Sequence, residues 1–426
     1  MRRHTLQIRA GTGLVLAAAS VLLAGCTLAA IGTTQVEAGP PRNPGARFEP
    51  RALSAAIDGF GLDLLKATKA GETGNVIVSP ASVHAALSMT VNGATDETAK
   101  QMRAVLRTAA MSPTDANAQW ASLLLQLGSR SSDQTLEIAN SLWAEKSVAF
   151  KKPFLDADRD FFGAKVTTLD FATDNLAGAV NGWVSSRTHG MITKMVDRVP
   201  DNAILYLANA VYFKGDWVSP FEHNSTDKEP FTRADGTKVD VDMMNATEGR
   251  PFAENGALQA TSLAYVGADT GFYVMLPRPG VSIDAAMASL EGTGFADLRA
   301  TLTSGVTTEV VLGLPKLDAD FGTSLKKPLA TMGMPRAFDQ DLAQFSGMAD
   351  LGVPIYIGDV MHKTKVKVDE KGTEAAAATV VEMLAGSAAP VSEPARIVCD
   401  RPYLFAIVDQ RTGVMLFLGV VEDPTK

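Results

Sequence analysis

The chain has 426 residues, 46% of them apolar and 20% charged, with 47 Asp and Glu against 39 Lys and Arg. A disordered chain would be more polar and a multispan membrane protein would carry several long apolar runs, so the composition argues against both. The formal charge of −8, with no Lys/Arg stripe interleaved with aromatics, argues equally against a nucleic-acid partner.

The first element reads as a bacterial export signal. Residues 1–26 run from a basic start, MRRHTLQIRA, through the apolar stretch GTGLVLAAASVLLAG to Cys26. That stretch is too short for a comfortable transmembrane span. The ending Leu23-Ala24-Gly25-Cys26 resembles a bacterial lipobox, in which the chain is cut before the cysteine and its thiol is lipidated. An ordinary secretory signal containing a cysteine, or a retained anchor, are the alternatives. Removing 1–25 leaves 36 cations against 47 acids, a net −11. Cys399 is then the one thiol left to the fold. It is expected to be a buried structural cysteine, and no Cys/His spacing suits a metal.

Residues 26–47 lack periodicity and carry Pro and Gly, which reads as a flexible tether. Helical spacing follows in 53–70, 80–91, 97–106, 117–127, 153–162 and 175–188. Strand-like runs dominate afterwards, at 203–213, 258–266, 272–276, 308–314, 355–368, 396–399, 403–409 and 414–421. The last two flank Gln410-Arg411-Thr412-Gly413, a hairpin turn. Helices first and antiparallel strands later give an α+β class, with residues 48–426 as a single domain.

Catalytic signatures do not appear. There is no G-x-S-x-G elbow, H-E-x-x-H, P-loop or dinucleotide fingerprint. The possible bases are His84, His189, His223 and His362, and a triad assembled from distant residues would be defined by geometry alone.

One stretch does not suit an ordinary fold. Residues 368–394 read VDEKGTEAAAATVVEMLAGSAAPVSEP. By propensity 373–384 should be a helix, since Glu374 and four alanines are good helix formers. As a strand, Thr373, Ala375, Ala377, Thr379, Val381 and Met383 would share one uncharged face, with Glu374 and Glu382 on the other. The segment is therefore suited to being a loop in one state and a central strand in another.

The run Val368 to Thr379 closely resembles the reactive-loop hinge of the serpins, the serine protease inhibitor superfamily. Further motifs fall in the family's order: Ser79-Pro80-Ala81-Ser82, Asn92-Gly93-Ala94-Thr95, Asn209 to Trp217 with Pro220-Phe221, Leu314-Pro315-Lys316-Leu317, and Asp400 to Phe405 with Leu418-Gly419. The one departure, Tyr403 where the signature usually has Phe, still offers a packing ring.

The resemblance implies a serpin fold, with helices and three β-sheets, a large central sheet and an exposed reactive-centre loop at about 370–395. It implies a suicide-substrate inhibitor, not an enzyme: a target serine protease cleaves the loop, and the hinge then inserts into the sheet and traps the acyl-enzyme. The hinge would be Glu370, Gly372, Thr373, Glu374, Ala375, Ala376, Ala377 and Ala378. Small residues without charge or proline from Ala375 to Val381 favour insertion. The usual loop length counted from Glu370 places the reactive bond at Gly386-Ser387, with Leu384, Ala385 and Met383 as alternatives. Small residues there suit an elastase-like or subtilisin-like target. Ser79, Ser82, Asn209 and His362 map to the polar cluster called the shutter, and Trp217 to the breach where the loop first enters. No cofactor or metal is implied, a monomer is expected, and 117–127 carries no basic patch for a polyanion. The competing readings are a non-inhibitory serpin-fold surface binding protein and an exported hydrolase.

Overall fold

The structure, a computed structural model, describes residues 35–36, 40–42, 50–129, 131–199, 203–373 and 393–426. Nine helices and three sheets form among them. The six expected helices are present as Arg51–Lys69, Pro80–Val91, Asp96–Val105, Pro113–Gly128, Lys152–Phe162 and Leu176–Arg187. Several begin where the sequence supplies a cap and a proline. Ser79 precedes Pro80 and its hydroxyl accepts from the Ser82 amide, and Ser112 does the same before Pro113.

The central sheet has seven strands in the order Gln35–Val36, Lys165–Leu169, Gln134–Glu145, Leu205–Asp216, Gly372–Thr373, Met361–Val368, Leu317–Ser324. A six-stranded sheet holds the heart of the core: Thr270–Pro277, Tyr403–Asp409 and Met415–Val421 are buried along their whole lengths. Strands covered on both faces read as unbroken apolar runs, which is why these were the easiest to find from sequence. The third sheet orders Ala395–Val398, Thr308–Pro315, Lys238–Arg250 and Thr226–Thr232, its first pair parallel. The hairpin turn forms as expected, with Gly413 at φ +79° and Asp409 Oδ1 accepting from the Thr412 amide at 2.8 Å.

Three expectations change. The run 355–368 is a strand only from Met361, because Asp359 folds back to accept from the Val360 amide and the Ser324 hydroxyl. The stretch 26–47 is not loose throughout. Gln35–Val36 adds an edge strand to Lys165–Leu169, the Arg42 amide donates to the Asp160 carbonyl at 2.8 Å, and the Arg42 guanidinium lies 3.5 Å from the Asp160 carboxylate. The helix that propensity offers for 373–384 does not include Thr373, which is a strand residue. Cys399 is free and fully buried, and burial pushes its thiol far up from the ordinary range. No helix among the described residues is long and apolar enough to cross a membrane.

Candidate functional site: the seam of the central sheet

The strands Leu205–Asp216 and Met361–Val368 flank Gly372–Thr373 in the sheet, and among the described residues that short strand alone joins them. Gly372 faces Asp216, and Thr373 faces Gly215 on one side and Val368 on the other. Among the described residues the hinge is thus seated in the sheet as a wedge at Gly372–Thr373, at one end of the seam. Its side chain obeys the alternation read from sequence: Thr373 is buried, 4% exposed, on the core face. Gly372 is required by close approach. A Cβ there would overlap the Gly215 carbonyl oxygen and lie 2.8 Å from Asp216 Cα. The other end of the reactive segment is held by Ala395–Val398 in the third sheet. Glu374 to Ala378, Met383 and the bond residues Leu384, Ala385, Gly386 and Ser387 lie outside the described residues.

The turn entering the wedge is gripped from the far strand and its extension. The Trp217 amide donates to Lys371 O at 2.7 Å, the Phe221 amide to Glu370 O at 2.8 Å, and Trp217 Nε1 to Asp369 O at 3.0 Å. The Glu370 carboxylate accepts from Lys316 Nζ at 2.7 Å and the Thr226 hydroxyl at 3.0 Å, and it meets His223 Nδ1 at 3.1 Å. Burial pushes that carboxyl up, but Lys316, the backbone, Thr226 and His223 together outweigh it and hold the group at about 2. Trp217, 2% exposed, stacks on Tyr265 at 4.4 Å with the planes 22° apart, and the Tyr265 hydroxyl meets Thr373 Oγ1 at 2.5 Å.

The four residues of the polar cluster come together further along the seam. His362 Nε2 accepts from the Ser79 amide at 3.1 Å, so the ring is neutral at that nitrogen, and burial pulls its pKa down to about 4. The Ser79 hydroxyl donates to Leu416 O at 2.7 Å, and Ser82 Oγ donates to Asn209 Oδ1. Asn209 in turn donates to Asn140 Oδ1 at 2.5 Å, and Asn140 to Phe162 O at 3.1 Å. Residues from both sides of the seam, Asn209 and His362, therefore rest on one helix N-terminus. Each of the four residues has a hydrogen-bond partner within the cluster, as buried polar residues require.

Of the four histidines, His84 and His362 are buried, while His189 and His223 are exposed and each meets a glutamate. His84 is fully buried, with Leu106 O on one nitrogen at 3.0 Å and the Ser88 hydroxyl on the other at 3.1 Å, and burial pulls its pKa to about 4. The Ser88 oxygen is also taken, by Trp120 Nε1 at 3.1 Å. His189 pairs with Glu137 at 2.8 Å, and His223 and His362 belong to the seam. Among the described residues no cluster of acids, histidines and cysteines forms a metal site. Sequence reasoning missed Tyr265, Thr226 and Asn140, and passed over Lys316 although it stood inside a quoted motif. Asn140 alone left a trace, a polar residue between Ile138 and Leu142 on one face of the run IANSLW.

Residues 55–424 match the family model described as Serpin (serine protease inhibitor). An uncharacterized serpin-like protein of Thermococcus kodakarensis is 35% identical over 87% of this chain and 85% of its own length. Human Serpin B3 is 31% identical over 88% of this chain and 100% of its own. Among solved structures, native tengpin, a thermophilic serpin, superposes with a TM-score of 0.80 at 30% identity, covering 91% of this chain and 97% of that one. Its latent state superposes with 0.74 at 27% identity, covering 90% and 99%. The chain therefore belongs to the serpin family, a family of protease inhibitors and not of enzymes.

Proposed function

We propose that this chain is a suicide-substrate inhibitor of a serine protease with a shallow primary pocket, elastase-like or subtilisin-like. The observation that carries the reading is the wedge: Gly372–Thr373 occupies the first register of a new strand, and the sequence that follows it is Glu374 and four alanines. Alanines enter between two strands with little side chain to desolvate or clash. A target would attack the segment near Gly386-Ser387. Cleavage frees the segment from its Ala395–Val398 anchorage, and about 14 residues at roughly 3.3 Å each would carry the acylated protease on the order of 45 Å. New ladder bonds at about 0.5–1.5 kcal/mol net apiece drive the motion against the entropy of ordering the loop. Hydrolysis of the acyl bond needs an aligned oxyanion hole, and losing one donor adds roughly 3–4 kcal/mol to that barrier, so a dragged and distorted protease stalls as a covalent adduct.

The same reading makes residues 1–25 an export signal and Cys26 the lipidated anchor of an extracytoplasmic monomer, supported by the basic, apolar and small-residue order before that cysteine. Incubating the purified protein with elastase-like, subtilisin-like, chymotrypsin-like and trypsin-like proteases tests the proposal. An SDS-resistant complex with a small-pocket protease is the expected result. Clean cleavage by all four without a complex would leave the non-inhibitory binding role instead. Metabolic labelling with a fatty acid, compared between the natural chain and Cys26→Ser, tests the anchor.

A further inference from the structure

We infer that Tyr265 is a positioning residue for the hinge: through its hydroxyl it holds Thr373 in the first register of the seam and so governs how readily the rest of the loop follows. The kinetic part rests on the inhibitory reading, and the docking part does not.

The Tyr265 ring is fully buried, stacked on Trp217 and edge-on to Phe213 at 4.8 Å. Its position depends on Gly215, the residue paired with Thr373, where a Cβ would come within 2.9 Å of Tyr265 Cδ1. The absent side chain on the strand thus lets a phenol pass beneath it and reach the hinge. Among the described residues Thr373 is the one hydrogen-bond partner of that hydroxyl. Burial pushes the phenol far above its usual range, so it stays neutral wherever the protein folds. If Thr373 left the sheet, a buried hydroxyl amid aromatic rings would lose its partner, a costlier state than one in which the bond had never existed. The pair therefore favours the seated hinge over the expelled one. In a fully inserted strand Thr373 keeps the same register, so the bond acts on the start of insertion and cancels from its end.

The test uses the full chain with Tyr265→Phe, Thr373→Val and the double variant, and reads deuterium exchange of the hinge amides at 369–373. Each single change should lower protection about fivefold, the equivalent of one hydrogen bond, and the double should fall no further than either single. Thr373→Ser, which keeps the hydroxyl, should restore protection. Unchanged protection in Tyr265→Phe, or losses that simply add in the double, would overturn the inference, because packing alone would then account for Tyr265. With a protease that forms the covalent complex, Tyr265→Phe should lower the complex yield by a similar factor while Thr373→Ser does not. Coupled exchange in a protein that forms no complex would sustain the docking role of Tyr265 and reject the inhibitory reading.

Discussion

Gly372→Ala adds one methyl group at the tightest point of the wedge. Its Cβ would overlap the Gly215 carbonyl oxygen and stand 2.8 Å from Asp216 Cα and 3.0 Å from Gly215 C. All three are backbone atoms of a strand that is itself held on its other side, where Gly215 pairs with Gln134. The strand cannot retreat, so either the sheet parts or the hinge leaves. Overpacking of this kind costs about 1–3 kcal/mol. The wedge is held by a few ladder bonds at about 1 kcal/mol each, a comparable sum, so the hinge is expected to leave. A 2 kcal/mol shift is roughly thirtyfold in an equilibrium. After acylation, insertion would compete that much less well with hydrolysis, and the variant should turn from inhibitor to substrate. Titration against the protease, resolved on denaturing gels, should show cleaved protein in place of covalent complex, with thermal unfolding of the rest of the fold unchanged. Full complex yield together with unchanged amide protection at 369–373 would show that close approach at Gly372 does not control seating.

Ala375→Arg should also give a substrate, since a guanidinium on the core-facing parity would be buried without a partner at a cost of several kcal/mol, and an undiminished SDS-resistant adduct would disprove the insertion route. Glu370→Gln should loosen the hinge turn and raise its exchange, with Lys316→Met matching it. In the natural chain the same loosening should appear as pH falls from about 4.5 towards 2, because a carboxyl held below its unfolded value stabilises above that value and loses its effect as it protonates. His362 is a base whose pKa is depressed to about 4, so its contribution is complete above pH 6.5 and is lost as pH falls from 6.5 to 4, about 3 kcal/mol in all. Asp58, raised to about 7 by burial against the opposing pull of the Met415 amide and Arg299, takes up a proton early and offsets part of this. The check is therefore a difference: His362→Gln should lose less stability than the natural chain over that range, and parallel curves would refute the assignment.

The parts of the fold that could be read from sequence are those whose burial pattern is simple. Tyr403–Asp409 and Met415–Val421 are buried on both faces, and the first six helices show their apolar stripes at helical spacing. Leu317–Ser324 is absent from the expected strands although its buried and exposed residues alternate through LDADFG, with both aspartates on the exposed parity. Lys238–Arg250 and Thr226–Thr232 were harder, because charged residues line the strands of the third sheet and mask the period. The seam divides in the same way. Motif order pointed to Ser79, Ser82, Asn209 and Trp217, and the family resemblance added His362, but the partners that complete the site lie far off in sequence. Tyr265 is 108 positions from Thr373, and Lys316 is 54 from Glu370. A hydrogen bond between distant residues leaves no local period, so geometry alone reveals it.

The seam is controlled from two places that share no residue. At the wedged end, Trp217, Tyr265, Lys316 and Thr226 act on the hinge and its turn. Further along, the helix that begins at Pro80 touches both strands, His362 through the Ser79 amide and Asn209 through the Ser82 hydroxyl. Ser79 and Ser82 are three residues apart, one helical turn, so a single rigid N-terminus bears on both sides of the opening. Neither bond crosses the seam, and the flanking strands have no ladder between them there among the described residues. A strand can therefore enter alongside Asn209 and His362 without first breaking a strand-to-strand bond between them. On the inhibitory reading proposed above, entry would be resisted by the cost of ordering the loop, of which the seated Thr373 already meets the first part.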